Sequence, residues 1–270
     1  MESAAQALTV SLILPVLNHE PRLEDVLREI RSLSGEYQPE VLVVHDVTRP
    51  ELLESLKSEQ RGLEEKYGVR YVTRINQRGF GSALRAGFEA SRGDVIIPIM
   101  GDCSDDIAAI PRMLEKIRSG ADLVAGSRYM PGGAIVGDTP KQQTSRLYSR
   151  IMQTMSRIPC NDVSNSFRAY RRDIWKTIPN EATSFDISVE MTVKAAAAGY
   201  RIDQVPAVWT NRAAGQSRFR MLKELPNYSR WLFFAARHAP RRSTLVAAPV
   251  ALIGLVALMG WMLGRRRRDA

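Results

Sequence analysis

The residues best able to do chemistry stand in short polar clusters that follow apolar runs. The densest is Gly101-Asp102-Cys103-Ser104-Asp105-Asp106, directly after a run that ends at Met100. Carboxylates at the exit of a buried strand can hold a hard divalent cation against a diphosphate. Asp105 and Asp106 also suit the cap and first turn of a following helix, which leaves Asp102 as the stronger metal candidate. Asp46 follows the run Val41 to Val44 and has two readings: a contact to the base or ribose of a nucleotide, or a turn-forming Asp bonded to its own backbone. The stretch NQRGFGSALRAG, Asn76 to Gly87, sets glycines before a helix amino terminus, whose dipole favours anions. It is not a dinucleotide fingerprint, because Leu84 stands at the third glycine of G-x-G-x-x-G and the loop follows a third strand. Ser127-Arg128 closes a further apolar run, and Glu190 is a carboxylate whose helix could turn it toward the same cleft. The three histidines, His19, His45 and His238, read as surface or structural, with His45 the one nearest the nucleotide position.

These clusters need a scaffold, and the intervening pattern supplies one. Val10 to Val16 reads as a buried strand closed by Pro15 and Asn18. Leu23, Val26, Leu27, Ile30 and Leu33 then recur at helical spacing. The alternation continues with a strand Val41–Val44, a helix Pro50–Tyr67, a strand Val69–Thr73 and a helix Gly79–Arg92. Strand Asp94–Met100, helix Asp106–Ser119 and strand Ala121–Gly126 follow. A Gly/Pro-rich loop, PGGAIVGDTP, precedes a helix from about Ser145 to Arg157, and a second βα region ends near Arg212. Strands alternating with helices predict an α/β fold with a mostly parallel, doubly wound sheet. Ligands of such sheets bind at the carboxyl ends of the strands, where all these clusters fall.

At 270 residues the chain can hold one domain and an appendage. Its net charge of +9 is confined to the end of the chain. From Ser217 onward eleven Lys or Arg stand against Glu224 and Asp269, whereas the residues before Ser217 hold 27 basic and 27 acidic side chains. A nucleic-acid enzyme would carry a basic stripe on its folded body, so nucleic acid is excluded as the expected partner and an anionic membrane surface is favoured. Residues 217–243 mix aromatic and basic side chains, and Pro226 is expected to split them into two short interfacial helices. Thr244 to Leu263 is twenty residues without a charge, flanked by Arg241-Arg242 and Arg265 to Arg268. It reads as one hydrophobic membrane helix over 244–264, followed by a basic tail, 265–270. A single crossing would put that tail outside, against the positive-inside tendency. Cys103 and Cys160 show no disulfide or zinc spacing, and no signal sequence opens the chain, so the first 216 residues are expected as a cytoplasmic domain at the cell membrane.

In order and spacing, several segments resemble family 2 glycosyltransferases of the dolichyl-phosphate mannosyltransferase type. They are SLILPVLNHE, VVHD, NQRGFGSALRAGFEASRGD, GSRY at 126–129, NDVSNSFRAYRR at 161–172, GYRIDQVP at 199–206 and NRAAGQSR at 211–218. The resemblance runs from about Leu12 to Arg218 and implies an A-type glycosyltransferase fold, a divalent cation (Mg²⁺ or Mn²⁺) and an inverting transfer. The sugar would pass from a GDP- or UDP-linked nucleotide-sugar to a polyprenyl or dolichyl phosphate. It implies Pro15, Asn18, Asp46, Asn76, Gly79, Gly81, Arg212, Ser217 and Arg218 as donor contacts, Asp102 and Ser104 at the metal, and Arg128, Lys141 and Ser145 at the acceptor phosphate. Asp102, Arg128 and Glu190 would be catalytic. The chain departs from the family pattern at Met100, where the first Asp of D-x-D is usual, and at His45, Ser166 and Gln204. A non-lipid acceptor, or an idle membrane scaffold of the same fold, stands as the alternative.

Overall fold

The structure is a computed structural model that describes residues 8–33, 37–137, 140–211 and 221–238. Its centre is a seven-stranded sheet built from β1 (Val10–Leu17), β2 (Glu40–Val47), β3 (Arg70–Ile75), β4 (Val95–Pro98), β5 (Leu123–Ser127), β7 (Arg168–Arg171) and β8 (Ile202–Pro206). The spatial order is β3-β2-β1-β4-β7-β5-β8. All neighbours run parallel except β7, which is antiparallel to both β4 and β5.

Alternate residues of the central strands enter opposite cores. Leu12, Leu14, Val41 and Val43 face one, while Ile13, Leu42 and Val44 face the other. Burial on both sides is why these strands read as unbroken apolar runs. The first core is closed by α1 (Leu23–Leu33), α2 (Leu53–Tyr67) and α4 (Ile110–Arg118). The second is closed by α3 (Phe80–Ala90), α5 (Pro140–Ser156), α6 (Arg172–Thr177), α7 (Ile187–Ala197) and α8 (Met221–His238). The chain winds outward from β1 to β3 and returns to β4 on the other side of β1. That reversal opens a crevice between the ends of β1 and β4, where Asn18 and Asp102 lie.

The alternation expected from the sequence is present, with three differences. First, β7 inserts between β4 and β5, pairing Val95 with Arg171 and Leu123 with Tyr170. Arg168 on this strand is fully buried, which a hydrophobicity pattern cannot anticipate. Its guanidinium donates to the Asn165 and Asp162 carbonyls at 2.6 Å each and to Thr192 Oγ1 at 2.7 Å, so the charge is buried with its donors satisfied. Second, α5 begins at Pro140, where the fixed φ of proline suits a first turn, and not near Ser145. Third, α8 is one helix with Pro226 inside it, which corrects the expected division into two. It is docked on the domain: Trp231, Leu232 and Ala235 are buried, and Trp231 Nε1 donates to Asp186 Oδ2 at 2.8 Å.

A second, two-stranded sheet joins β6 (Ala134–Val136) to β9 (Val208–Thr210) in parallel. Among the described residues no helix is long and apolar enough to cross a membrane, and the run 244–264 lies outside them.

The close packing of α3 on β1 and β2 gives a direct test. A Cβ at Gly87 would stand 2.8 Å from Val44 Cγ2 and closer still to Ile13 Cγ2. Gly87→Ala is therefore expected to destabilise the domain by about 1–3 kcal/mol through overpacking, read as a lower denaturation midpoint with unchanged m-value.

Candidate active site

The ends of β1, β2 and β3 form one wing of the site. Asp46 is 3% exposed and does not bond its own turn as an isolated Asp would. Arg74, its neighbour in register on β3, grips it through Nε to Oδ1 at 2.6 Å and Nη2 to Oδ2 at 2.8 Å, and reaches Ser82 Oγ at 3.1 Å. A bidentate pair of this kind fixes the carboxylate and neutralises it. Asn18 has φ 58 and is held from several sides. Its amide N–H donates to the Asp46 carbonyl at 2.8 Å, and its side-chain oxygen accepts from the Thr48 amide at 2.8 Å. His45 accepts from the Gln60 side-chain amide on Nδ1 at 2.8 Å and donates from Nε2 to the Asn18 carbonyl, so it serves as a structural bridge. Pro15 is half-buried at the end of β1, and Asn76 is exposed at the end of β3 with φ 55.

The glycine loop packs closely on another part of the chain. Gly81 is buried, and its N–H donates to the Thr183 carbonyl at 3.0 Å. A Cβ there would lie 2.9 Å from Ser184 O and nearer still to Ala182 O, while one at Gly79 would lie 2.8 Å from Thr183 O. The close backbone approach that these glycines permit is thus made by the protein's own 182–184 segment. Glu190 secures that segment: its carboxylate accepts from the Glu181 amide at 2.8 and 3.1 Å, from the Ala182 amide at 2.8 Å and from Lys194 Nζ at 2.7 Å. Glu190, expected as a catalytic carboxylate, has no solvent exposure and holds the amides of this segment.

Beyond β4 the acidic cluster forms a tight turn. Asp102 Oδ1 accepts from the Ser104 amide at 3.1 Å, Cys103 takes φ 58, and Asp105 Oδ2 accepts from the Met100 amide at 2.8 Å. Asp102, Ser104 and Asp105 are 5%, 3% and 8% exposed. Burial, reinforced by the charge of Asp102, pushes the Asp105 carboxyl up to about 7. Asp106 instead accepts from the Val208 amide at 3.1 Å and faces Arg112. No group of three or more His, Cys, Asp or Glu gathers as a cation cage among the described residues. Asp102 beside a second, reluctantly ionised carboxyl nevertheless fits a hard cation that draws its other oxygens from a diphosphate and water.

The other wing is built around Arg128, at the end of β5. Its Nε donates to Asp162 Oδ2 at 2.6 Å, and its Nη2 reaches Asp162 Oδ1 at 2.9 Å and both Ser145 Oγ and Ser164 Oγ at 3.2 Å. Tyr129 OH donates to Ser145 Oγ at 2.9 Å. Burial alone would lower the pKa of Arg128, but the Asp162 carboxylate outweighs it and holds the guanidinium above its ordinary value. Arg128 and Ser145 thus stand together, with Arg128 already paired to a carboxylate. Its Nη1 makes no hydrogen bond among the described residues and is the part of the guanidinium left for a ligand.

Both wings and the acidic turn share one edge of the sheet. The charges of Asp105 and Arg128 influence each other, and β9 ties the turn down through the Thr210 amide to the Ser104 carbonyl at 3.0 Å. The Asn211 amide donates to the Val136 carbonyl at 2.9 Å, so the two strands leading toward 141 and 212 leave side by side. Arg212, Ser217, Arg218 and the side chain of Lys141 lie outside the described residues. Arg74, Ser82, Asp162 and Ser164 were not singled out from sequence. Arg74 stands at a strand end beside Asp46 in register, and Asp162 and Ser164 sit in the polar NDVSNS stretch, but only pairing across the fold shows their partners.

This architecture is that of an A-type glycosyltransferase domain. It is similar to the crystal structure of glucosyl-3-phosphoglycerate synthase from Mycobacterium tuberculosis, with TM-score 0.60 and 21% identity, over 86% of this chain and 81% of that one. The chain belongs to glycosyl transferase family 2, whose model matches residues 11–178. Among its relatives, the undecaprenyl-phosphate mannosyltransferase of Micrococcus luteus is 32% identical over 82% of this chain and 93% of its own. The dolichol-phosphate mannosyltransferase of Pyrococcus furiosus is 26% identical over 82% of this chain and 64% of its own. A glycosyltransferase of Haloferax volcanii is 26% identical over 95% of this chain, which spans 42% of that longer protein.

The acidic turn carries a pH test in metal-free protein. The Asp105 carboxyl is about 7 folded against 3.8 as a free side chain, so its contribution to stability is full below about 4 and is lost as pH rises through 7. Asp105→Asn does not titrate and keeps an acceptor for the Met100 amide. Its melting temperature relative to the unsubstituted chain is expected to rise between pH 4 and 8 by about 2–4 °C per kcal/mol recovered, measured by calorimetry in chelator.

Proposed function

We propose that this chain is an inverting glycosyltransferase that moves a hexosyl group from a nucleotide-sugar to a polyprenyl phosphate at the cytoplasmic face of a membrane. The observation that supports this most is the juxtaposition of the Asp102–Asp105 turn with the Arg128–Ser145 pair at one sheet edge. The first suits a donor diphosphate, and the second suits an anionic acceptor. The relatives named for transfer to undecaprenyl and dolichol phosphate support the lipid, as does the apolar run 244–264, read as one membrane helix.

In this reading Asp46, fixed by Arg74, receives the nucleoside, with Asn18 shaping the floor beside it. Asp102 and the Ser104 turn hold the divalent cation, which when bound supplies positive charge for the departing diphosphate. An oxygen of the lipid phosphate attacks the anomeric carbon in line. The bond to the diphosphate oxygen breaks, and its electron pair leaves with the nucleoside diphosphate. The acceptor is already an anion at neutral pH, so it needs positioning by Arg128 Nη1, Ser145 and Lys141 more than a general base. Arg212, Ser217 and Arg218 would close over the diphosphate. The burial of Glu190 agrees with this scheme, since no step calls for a carboxylate base.

The test uses purified full-length chain, a panel of labelled GDP- and UDP-sugars and polyprenyl phosphate, with Mg²⁺, Mn²⁺ or chelator. Label is expected in the organic phase only with cation. Asp102→Ala should lower turnover by about 10²-fold or more. Ser145→Ala should raise the KM for the lipid severalfold and leave the donor KM unchanged. Label that stays in water-soluble product, or turnover indifferent to chelator and to Asp102→Ala, would overturn the reading.

A further inference from the structure

His45 adjoins Asp46 in sequence and is 4% exposed, yet no step of the transfer uses it. It is also a position at which the chain departs from the family pattern. The two neighbours leave β2 on opposite faces of the sheet. His45 turns toward Gln60 of α2, whereas Asp46 turns toward Arg74 and, through it, Ser82 of α3.

The partners of the imidazole dictate where its proton sits. A carbonyl oxygen can only accept, so Nε2, which stands against the Asn18 carbonyl, carries the hydrogen. Gln60 Nε2 stands 2.8 Å from His45 Nδ1 and 3.3 Å from Thr73 Oγ1. That amide nitrogen has two hydrogens, one for each neighbour, so Nδ1 accepts and the ring is neutral. Asn18, which the ring reaches, has φ 58, in the left-handed region that costs a residue with a side chain energy. The surrounding bonds hold it there. Its N–H donates to the Asp46 carbonyl at 2.8 Å, its Oδ1 accepts from the Thr48 amide at 2.8 Å, and its Nδ2 donates to Thr48 Oγ1 at 3.0 Å. These bonds fix the amide and side chain of Asn18, and the His45 bond fixes its carbonyl. The end of β1 is thereby clamped to the end of β2 at Asp46.

We propose that His45 is a positioning residue for the donor: its neutral form with the proton on Nε2, selected by Gln60 and the Asn18 carbonyl, holds the Asn18–Asp46 junction in the geometry the nucleoside requires. The proposal rests on the reading of Asp46 and Asn18 as the nucleoside site. It adds a buried side chain that touches no substrate and acts through Asn18.

The test uses the full-length chain in detergent micelles, labelled with ¹⁵N-histidine. His45 is identified by the signals that His45→Gln removes, and long-range proton–nitrogen spectra at neutral pH should show Nε2 protonated and Nδ1 bare. A proton on Nδ1, or on both nitrogens, would overturn the proposal. Binding of GDP and of UDP with Mg²⁺ is then measured by calorimetry. In His45→Asn the shorter amide keeps the Gln60 contact but cannot reach Asn18, so affinity for the preferred nucleotide should fall about 10-fold. In His45→Gln the longer amide reaches the place of Nε2, so affinity should return to within about 2-fold. In turnover, the donor KM should follow these changes while kcat and the lipid KM stay unchanged. If His45→Asn does not fold, Gln60→Met removes the anchor of the ring on α2, and a weakening of about 3-fold is expected. Unchanged affinity in the variant used would overturn the proposal. So would equal weakening in His45→Asn and His45→Gln, which would reduce His45 to packing. If the unsubstituted chain bound neither nucleotide, the donor reading itself would fall, and the proposal with it.

Discussion

Asp162 has no solvent exposure, and the far wing of the site is organised around it. A buried carboxylate is tolerable only when paired and hydrogen-bonded, and removing one partner of such a pair costs about 3–5 kcal/mol. Asp162 meets the requirement through the Arg128 guanidinium and backbone amide, while its own carbonyl accepts from Arg168 at 2.6 Å. One residue thereby ties the end of β5 to the inserted strand β7, and Arg128 in turn reaches Ser145 on α5. Burial pushes the Asp162 carboxyl upward, but the guanidinium overrides it and holds the group below the usual carboxylate range, so the ion pair persists across neutral pH.

The same principle governs the near wing. Asp46 and Arg74 are both almost fully buried and form a fork, so this carboxylate is oriented before any ligand arrives. Groups oriented in advance need no reorganisation when charge develops, which is where most electrostatic catalysis originates. The acidic turn between the wings is the contrasting case. Asp105 is buried beside Asp102 without a basic partner close enough to offset burial, and its raised pKa records that cost. A divalent cation placed against the two carboxylates would relieve that cost, whereas the carboxylates of the two wings already have their partners.

Helix α8 is joined to this machinery mechanically. Glu224 accepts from Ser184 Oγ at 2.6 Å, and Trp231 donates to Asp186. Both contacts fall on the segment whose Thr183 carbonyl receives the Gly81 amide and whose 181 and 182 amides are held by Glu190. The helix that leads toward the apolar run thus shares a strap with α3, whose Gly81 packs on it. Gly81 and Glu190 are understood from this strap and from nothing in their immediate sequence.

The alternating strands and helices, the strand-end placement of Asp46, Asp102 and Arg128, and the confinement of the net positive charge to the last part of the chain were all legible in the amino-acid order. They depend on local periodicity and on composition, which a linear reading contains. What only the tertiary structure decided was partnership. Arg74 with Asp46, Asp162 with Arg128, and Glu190 with the 181–182 amides join residues 28, 34 and 9 positions apart through long-range packing. The antiparallel insertion of β7 and the docking of α8 were hidden for the same reason. A buried Arg168 or an unbroken helix through Pro226 is stabilised by neighbours that the local sequence does not contain.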